Sequence, residues 1–545
     1  MKRLLLIGAL LLILMELNFL FAQPGLLTRA ESSNFTSTSD YNDVMSFIKR
    51  LDDLSGKIRI DTIAESANGM SVPLIIIGEP LPPESGLRRD DNRLVIYIQA
   101  NIHAGEVEGK EASLMFARDL LSGKDQSLLK DLVILICPNL NPDGNEKIDP
   151  LNRAYQNGPV NGVGVRYNGQ YLDLNRDAMK AESPEVRGVI TEVFNKWDPA
   201  LFMDCHTTNG SYHVEPVTFT WMANPNGDNS LIKYMERIMM PEIHSTLLKK
   251  YKVENCYYGE FVDMLDFDKG WLYEAAEPRY MTNYYGLRNR LAILNENYVY
   301  ADYESRVRGC YYLIRTVAEY CAANRDAIKK MLETVDQKTI LRGMNPSPAD
   351  SFAIEFKVRP LSEKATIKTF EAEPDNNSDV WPPFRKTNRQ VTVSVPYLID
   401  YYPVKNVKFP FAYLFTVNSP EVRSLLKSQG IVLEKLSGKS KIEVERFEIS
   451  ELTAQSRLNQ GHYTNSVRGR YIRETKEFPS GTLVIRTAQP LANLAAYLLE
   501  PQSGDGLLTW NFLDRYIVPQ WGTGYNTYPV YRIIERADIK TMPSD

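Results

Sequence analysis

The sequence predicts an α/β fold: a mixed, mostly parallel sheet sandwiched by helices, joined to a C-terminal α+β, β-rich domain. Two observations carry this expectation. Between about residues 42 and 336, apolar runs alternate with segments whose apolar residues recur at helical spacing, the pattern of a sheet covered by helices. After "RGMNPSPADS" the texture changes to β-like runs with scattered prolines and aromatics.

Taken in order, "IRIDTIAES" and "SVPLIIIG" read as a hairpin across the turn formers Asn68 and Gly69. "RLVIYIQA" is a fully apolar strand, and "EGKEASLMFARDLLSG" carries helical periodicity. "DLVILICP" is a buried strand that runs into a loop rich in Asn, Pro, Asp and Gly. "SPEVRGVITEVFNKW" opens with Ser183, Pro184 and Glu185, a good helix start. "PALFMDC" and "RLAILNE" are strands, with the long helix "NSLIKYMERIMMPEIHSTLLKKY" between them and another from about Tyr303 to Glu333 after them. Beyond Phe352 short strands are expected in "KATIKTFEAE", "QVTVSVPYLI" and "TLVIRTAQ", with helices in "PEVRSLLKSQG" and "LANLAAYLLE". These readings divide the chain into a signal peptide over 1–22, a catalytic domain over 40–340 and a C-terminal domain over 350–545 whose role the sequence does not give.

Length and composition agree with this division. The 545 residues suit two to four domains, and 43% hydrophobic with 24% charged residues supports sizeable cores. A net charge of -5 provides no basic footprint for nucleic acid, and no Walker loop or G-x-G-x-x-G is present. The N-terminus, "MKRLLLIGALLLILMELNFLFAQPG", has a basic start, an apolar stretch from Leu4 to Leu14, and Ala22 before Gln23 as a cleavage point. Glu16 and Asn18 interrupt the ~20 apolar residues a membrane span needs. Export to the periplasm or the extracellular space follows, with no stable membrane insertion after cleavage. The five cysteines include no C-x-x-C pair, and no disulfide is assumed.

Ligands of open α/β sheets gather at the carboxyl ends of the strands. Four polar clusters fall there: His103 and Glu106 after "RLVIYIQA", "NPDG" after "DLVILICP", "DCHTT" at the end of "PALFMDC", and "NEN" at the end of "RLAIL". A catalytic zinc takes three ligands of the His/His/carboxylate kind and keeps a position for water, a need that His103, Glu106 and His206 meet with one Zn2+ per chain. A further carboxylate must accept the water's proton, and Glu296, flanked by asparagines at a strand end, is the candidate. The plainer alternatives are a capping or solvated acid for Glu296 and a core histidine oriented by Asp204 for His206.

In order and approximate spacing, "HAGE", "NPDG", "LDLNRD", "DCHTT" and "ILNE" resemble the motifs of the carboxypeptidase A-type zinc metallopeptidases over residues of about 40–335. That broad clan also contains cytosolic carboxypeptidases and aspartoacylase-like deacylases. The resemblance implies a zinc carboxypeptidase-like fold. It places Asp173 as the hydrogen-bonding partner of a ligating histidine, His103. It implies that Asn175 and Arg176 grip a substrate's terminal carboxylate, with the guanidinium fork meeting both oxygens. It also implies an arginine for the oxyanion. Counting from "NPDG" leads to Arg153 or its neighbour Gln156, counting back from Asp173 leads to Arg166, and Arg166 is preferred. "PRYMTNYYGLRNR" offers Tyr284 or Tyr285 as a mobile tyrosine and Arg288 or Arg290 as substrate contacts, with Tyr285 and Arg288 the leading choices. It is denser in Tyr, Asn and Arg than the family pattern. His213 is either a cleft residue or a polar loop residue.

The expectation is an exported zinc metallocarboxypeptidase acting on peptide or protein C-termini. The alternatives are a zinc amidase or deacylase of the same clan, acting on cell-wall peptides or N-acyl amino acids, and a non-catalytic peptide-binding protein.

Overall fold

The structure is a computed structural model that describes residues 26–88, 90–375, 383–517 and 527–544. The expected signal peptide over 1–22 lies outside them. The first half builds β1 (Ile58–Glu65), β2 (Ser71–Ile77), β3 (Leu94–Ala100), β4 (Leu132–Cys137), β5 (Leu201–Thr208), β6 (Val217–Trp221), β7 (Asn255–Tyr257), the two-residue β8 (Glu260–Phe261) and β9 (Trp271–Leu272), and β10 (Leu291–Tyr298). Eight of them form one sheet in the order β1-β2-β4-β3-β5-β10-β6-β7. β4, β3, β5 and β10 run parallel at its centre, while β2 and β6 flank them antiparallel. The mixed, mostly parallel sheet expected from the sequence is present.

Every residue of β3, β4 and β5 is buried, which is why these runs are continuously apolar until their last residues. Successive side chains point to opposite faces, and β5 shows what covers each. Phe202 meets Phe194 and Tyr285 on one side. On the other, a Cβ added to Gly109 would lie 2.4 Å from that of Cys205, so glycine alone allows the helix Glu108–Leu121 to come this close.

That helix packs against the helix Tyr303–Ala323. Arg306 Nε donates to Glu108 Oε1 at 2.5 Å with both side chains fully buried, and its terminal nitrogens donate to the carbonyls of Asn157, Gly158, Val299 and Ala301. The Thr207 hydroxyl donates to the same glutamate, so the pair also steadies the end of β5. Removing one partner of such a pair leaves a buried charge unmatched. Arg306→Ala is expected to lower the unfolding free energy by about 3–5 kcal/mol. Denaturant titration checks this, and a loss under about 1 kcal/mol, the range of an exposed pair, would show that solvent reaches Glu108.

Two elements differ from the sequence reading. The long helix expected to Glu333 is two helices, Tyr303–Ala323 and Arg325–Met344, broken at Asn324, whose side-chain amide donates to the Tyr320 carbonyl. Two of the short strands expected beyond Phe352, in "KATIKTFEAE" and "QVTVSVPYLI", are parts of a long hairpin, β11 (Ser351–Pro374) with β12 (Phe384–Lys408), whereas "TLVIRTAQ" holds a short strand as expected. Register shifts around Pro360 bulge it, so the prolines bend the strands without ending them. β12 also pairs with β9 through Tyr397 and Trp271, giving a four-stranded sheet, β11-β12-β9-β8, that crosses the expected boundary near residue 350.

The remaining strands are β13 (Ala412–Phe415), β14 (Glu434–Leu436), β15 (Ser440–Ala454), β16 (Asn465–Phe478), β17 (Leu483–Arg486), β18 (Val530–Ile533) and β19 (Thr541–Pro543). They form a seven-stranded sheet accompanied by the helices Pro420–Ser428 and Ala492–Leu499, a β-rich C-terminal region. Among the described residues no helix is long and apolar enough to cross a membrane. All five cysteines are free and buried.

Candidate active site

The site opens where the central strands end. Asn101, directly after β3, takes a left-handed backbone conformation (φ 61°), and its amide donates to Asn139 and Asn145 behind the neighbouring strand. This sharp exit carries His103 and Glu106 before the helix begins at Glu108. Asp204 and His206 share one face of β5 by strand alternation. β10 runs parallel beside it with Glu296 in register with His206.

His103 Nδ1 and His206 Nδ1 lie 3.2 Å apart, and they stand 3.2 Å and 3.1 Å from the two oxygens of Glu106. Each imidazole turns its other nitrogen to a carboxylate. His103 Nε2 is 2.9 Å from Asp173 Oδ1 and His206 Nε2 is 2.9 Å from Asp204 Oδ2. The Asp173 contact is a hydrogen bond, whereas the Asp204 contact lacks the alignment for one and acts as an ion-pair contact. With protons on the Nε2 atoms, both Nδ1 lone pairs and a carboxylate converge on one point. The donor set therefore fits a single zinc, and the partner acids fix the ring orientations it requires.

The charges around this point are strongly coupled. Burial alone would raise the Asp173 carboxyl, but the charge and hydrogen bond of His103, with Arg166 and Arg176, hold it well below the usual carboxylate range. Glu296 shows the opposite balance: burial pushes its carboxyl up to about 8, His206 pulls it down and Glu106 pushes it further up. A carboxyl poised near neutrality suits a group that takes up and releases a proton.

The expected substrate groups divide between cleft and core. His103, Glu106, Arg153, Arg166, Asn175, Arg176 and Glu296 line one cleft of about 580 Å³. Asn175 Oδ1 accepts from the Met281 N–H at 3.0 Å, and the Arg176 guanidinium lies 4.3 Å from the centre of the Tyr280 ring. Of the two arginines offered for the oxyanion, Arg153 is committed to Glu106 and to the Thr207 carbonyl, each at 2.9 Å. Arg166 donates through Nε to Asp173 at 2.8 Å and stands 3.5 Å from Glu106, with a third of its side chain open to the cleft.

Tyr285 and Arg288 require correction: neither lines the cleft. The helix Met281–Leu287 turns Tyr285 into the core, where it packs 4.3 Å from Phe194 and donates to the Pro199 carbonyl. Arg288 is buried and donates to Tyr284, to the Gln429 carbonyl and to Asn195. Tyr284 donates to Gln429, and Arg290 pairs with Asp198 and Asp336. His213 is buried outside the cleft.

The tyrosine of that stretch that reaches the cleft is Tyr280, extended just before the helix and therefore not carried into its buried face. Sequence reasoning also passed over Tyr258, Glu260, Tyr273 and Glu274 on the cleft wall, which come from loops and very short strands with no periodic signal. It passed over Gln460 as well. From the turn between β15 and β16 its side-chain oxygen accepts from the Asp173 backbone N–H at 2.8 Å.

Two imidazoles and a carboxylate at the ends of parallel strands, with a further acid in register and arginines along one cleft, are the groups a metal-dependent hydrolase requires. Residues 44–286 match the family model "Zinc carboxypeptidase". That segment is similar to the zinc carboxypeptidases, the family the sequence motifs resemble. Glu296 lies ten residues beyond the matched segment. Relatives extend over nearly the whole chain. "Carboxypeptidase 2" of Trichophyton rubrum is 22% identical over 539 residues, 94% of this chain and 90% of its own. "Probable carboxypeptidase 2" of Arthroderma benhamiae is 21% identical, over 91% of this chain and 90% of its own. Among solved structures, a metallo-carboxypeptidase from Pseudomonas aeruginosa matches 53% of this chain and 70% of its own at 19% identity, with a TM-score of 0.39.

Proposed function

We propose that the protein is an exported zinc carboxypeptidase that removes single residues from the C-termini of peptides, with Glu296 as general base and acid. The observation that carries this reading is the shared cleft, which is lined by His103, Glu106, Glu296 and the Asn175–Arg176 pair, with His206 against His103 and Glu106 at its base. When bound, zinc supplies a Lewis acid for the carbonyl and a water made acidic enough to ionise near neutral pH. Asp173 and Asp204 keep the two imidazoles turned towards the centre. Arg176 and Asn175 hold the substrate's terminal carboxylate, and the bidentate grip sets the scissile bond beside Glu296. Arg166 donates to the oxygen that gains negative charge, a contribution of roughly 3–4 kcal/mol per well-placed donor. Glu296 Oε takes the proton of the attacking water and returns it to the departing amine.

The experiment compares peptides with a free and an amidated C-terminus by mass analysis of products. Loss of single residues from the free peptides, with the amidated ones resistant, is expected. Equal cleavage of both would support an amidase on the same scaffold, and no cleavage of any substrate by zinc-loaded protein would support a binding protein. For export the support is the basic and apolar start of the chain, and a mature N-terminus near Gln23 is the expected result of sequencing the protein from its source.

The cleft wall adds a preference. Glu260 and Glu274 line it without an ion pair or side-chain hydrogen bond among the described residues, and partial desolvation by the cleft wall, with the charge of Glu274, raises the Glu260 carboxyl although its side chain stays open to solvent. A cationic C-terminal side chain is expected to be favoured over a neutral one of similar size. Both acids are exposed, so the gain is that of a surface pair, about 2- to 5-fold in kcat/KM. Glu260→Gln combined with Glu274→Gln should remove it.

A further inference from the structure

Away from the cleft, His213, Glu215 and Cys256 bring a ring nitrogen, a carboxylate oxygen and a sulfur within 4.8 Å of one another, all three residues buried. His213 and Glu215 stand on the segment between β5 and β6, and Cys256 is on β7, paired in register with Thr218 of β6. None of the three lines the catalytic cleft.

The hydrogen bonds within this cluster leave it incomplete. His213 is 4% exposed, yet its Nδ1 has no hydrogen-bond partner. The closest acceptor, Glu215 Oε2, is 3.6 Å away, beyond hydrogen-bond range. The ring is held facing this way, stacked on Tyr298 at 3.6 Å between centroids and set edge-on to Trp271. Leaving a buried polar nitrogen unpaired is costly, so a structure that fixes one in place calls for a partner. Glu215 is anchored through the backbone N–H groups of Lys368 (2.8 Å) and Val214 (3.3 Å), which orient the carboxylate while leaving lone pairs free. Cys256 is in no disulfide.

We propose that His213, Glu215 and Cys256 form a second, non-catalytic metal site that takes zinc. Imidazole, carboxylate and thiolate are the donor types zinc accepts, whereas calcium and magnesium require oxygen donors throughout. Binding displaces the Cys256 thiol proton to solvent and forms the metal–sulfur bond in its place. Three protein donors leave a further position for water or the second carboxylate oxygen. The metal ties the segment after the ligand strand β5 to β7. It also reaches the long hairpin, because His213 bridges to Thr369 of β11 and Glu215 accepts from Lys368. Tyr298, the stacking partner of His213, follows Glu296 by two residues on β10, so the clamp also backs the strand that carries that acid.

The test uses the full chain, stripped with a chelator and reloaded with zinc or with cobalt(II) alone. Cys256→Ser and His213→Ala are each expected to hold one zinc fewer per chain than the parent. The cobalt-loaded parent is expected to show a near-ultraviolet thiolate-to-cobalt charge-transfer band, absent in Cys256→Ser. The cleft triad contains no sulfur, so this band reports the second site alone and persists in His206→Ala. A cobalt-saturated parent without the band, or Cys256→Ser with the parent's full metal content, overturns the proposal. One zinc per parent chain with the band present supports it and counts instead against zinc in the cleft.

Discussion

Glu296→Gln is expected to lower kcat by about 10²–10⁴-fold, roughly 3–5 kcal/mol of transition-state stabilisation, with the bound zinc retained. The substitution keeps the shape and removes the proton acceptor. Glu296 makes no side-chain hydrogen bond or ion pair among the described residues, and burial already disfavours its charge, so a neutral amide sits there at no cost to folding. Steady-state kinetics on samples of equal metal content check this. A variant with parental kcat would place the proton transfer on another group and remove the mechanism proposed above.

His206→Ala is expected to abolish activity by a different route. It deletes one of the three proposed ligands and leaves Asp204, Glu106 and Glu296 facing one another with less positive charge between them. Zinc affinity should fall by more than the roughly 10–100-fold that losing a ligand's hydrogen-bonded partner costs, and that smaller loss is the expectation for Asp173→Asn. Equilibrium dialysis with metal analysis separates the two effects. After chelation, excess zinc should restore the parent and Asp173→Asn but not His206→Ala. A His206→Ala protein with parental affinity for cleft zinc would show that His103 and Glu106 recruit another ligand.

The candidate metal triad and acid were legible as a cluster because each stands at the end of an apolar strand. The apolar runs mark the strand ends that carry His103, Glu106, His206 and Glu296, and parallel pairing of β3, β5 and β10 brings those ends to one edge. The flanking strands β6 and β7 were not read, since they are short and lie among loop residues. Tyr285 and Arg288 failed for a reason periodicity can express only once the burying face is known. "MTNYYGL" forms a helix with every residue buried, which gives its aromatics to the core. The walls of the cleft were illegible for a different reason. Glu260 and Glu274 gain their place from a sheet completed by β12, more than a hundred residues downstream, and no local pattern records such pairing.

Gln460 shows what that distance means for the protein as an object to dissect. The turn bearing Asp173, Asn175 and Arg176 rests on a side chain 287 positions further along the polypeptide, and Arg279 is likewise fastened to Asp505. A fragment cut after Met344 would retain every group named in the proposed chemistry yet lose the buttress beneath the proposed anion grip. The two halves of the chain are fastened together at these points, and the portion beyond the matched segment supports the turn that carries the candidate substrate groups.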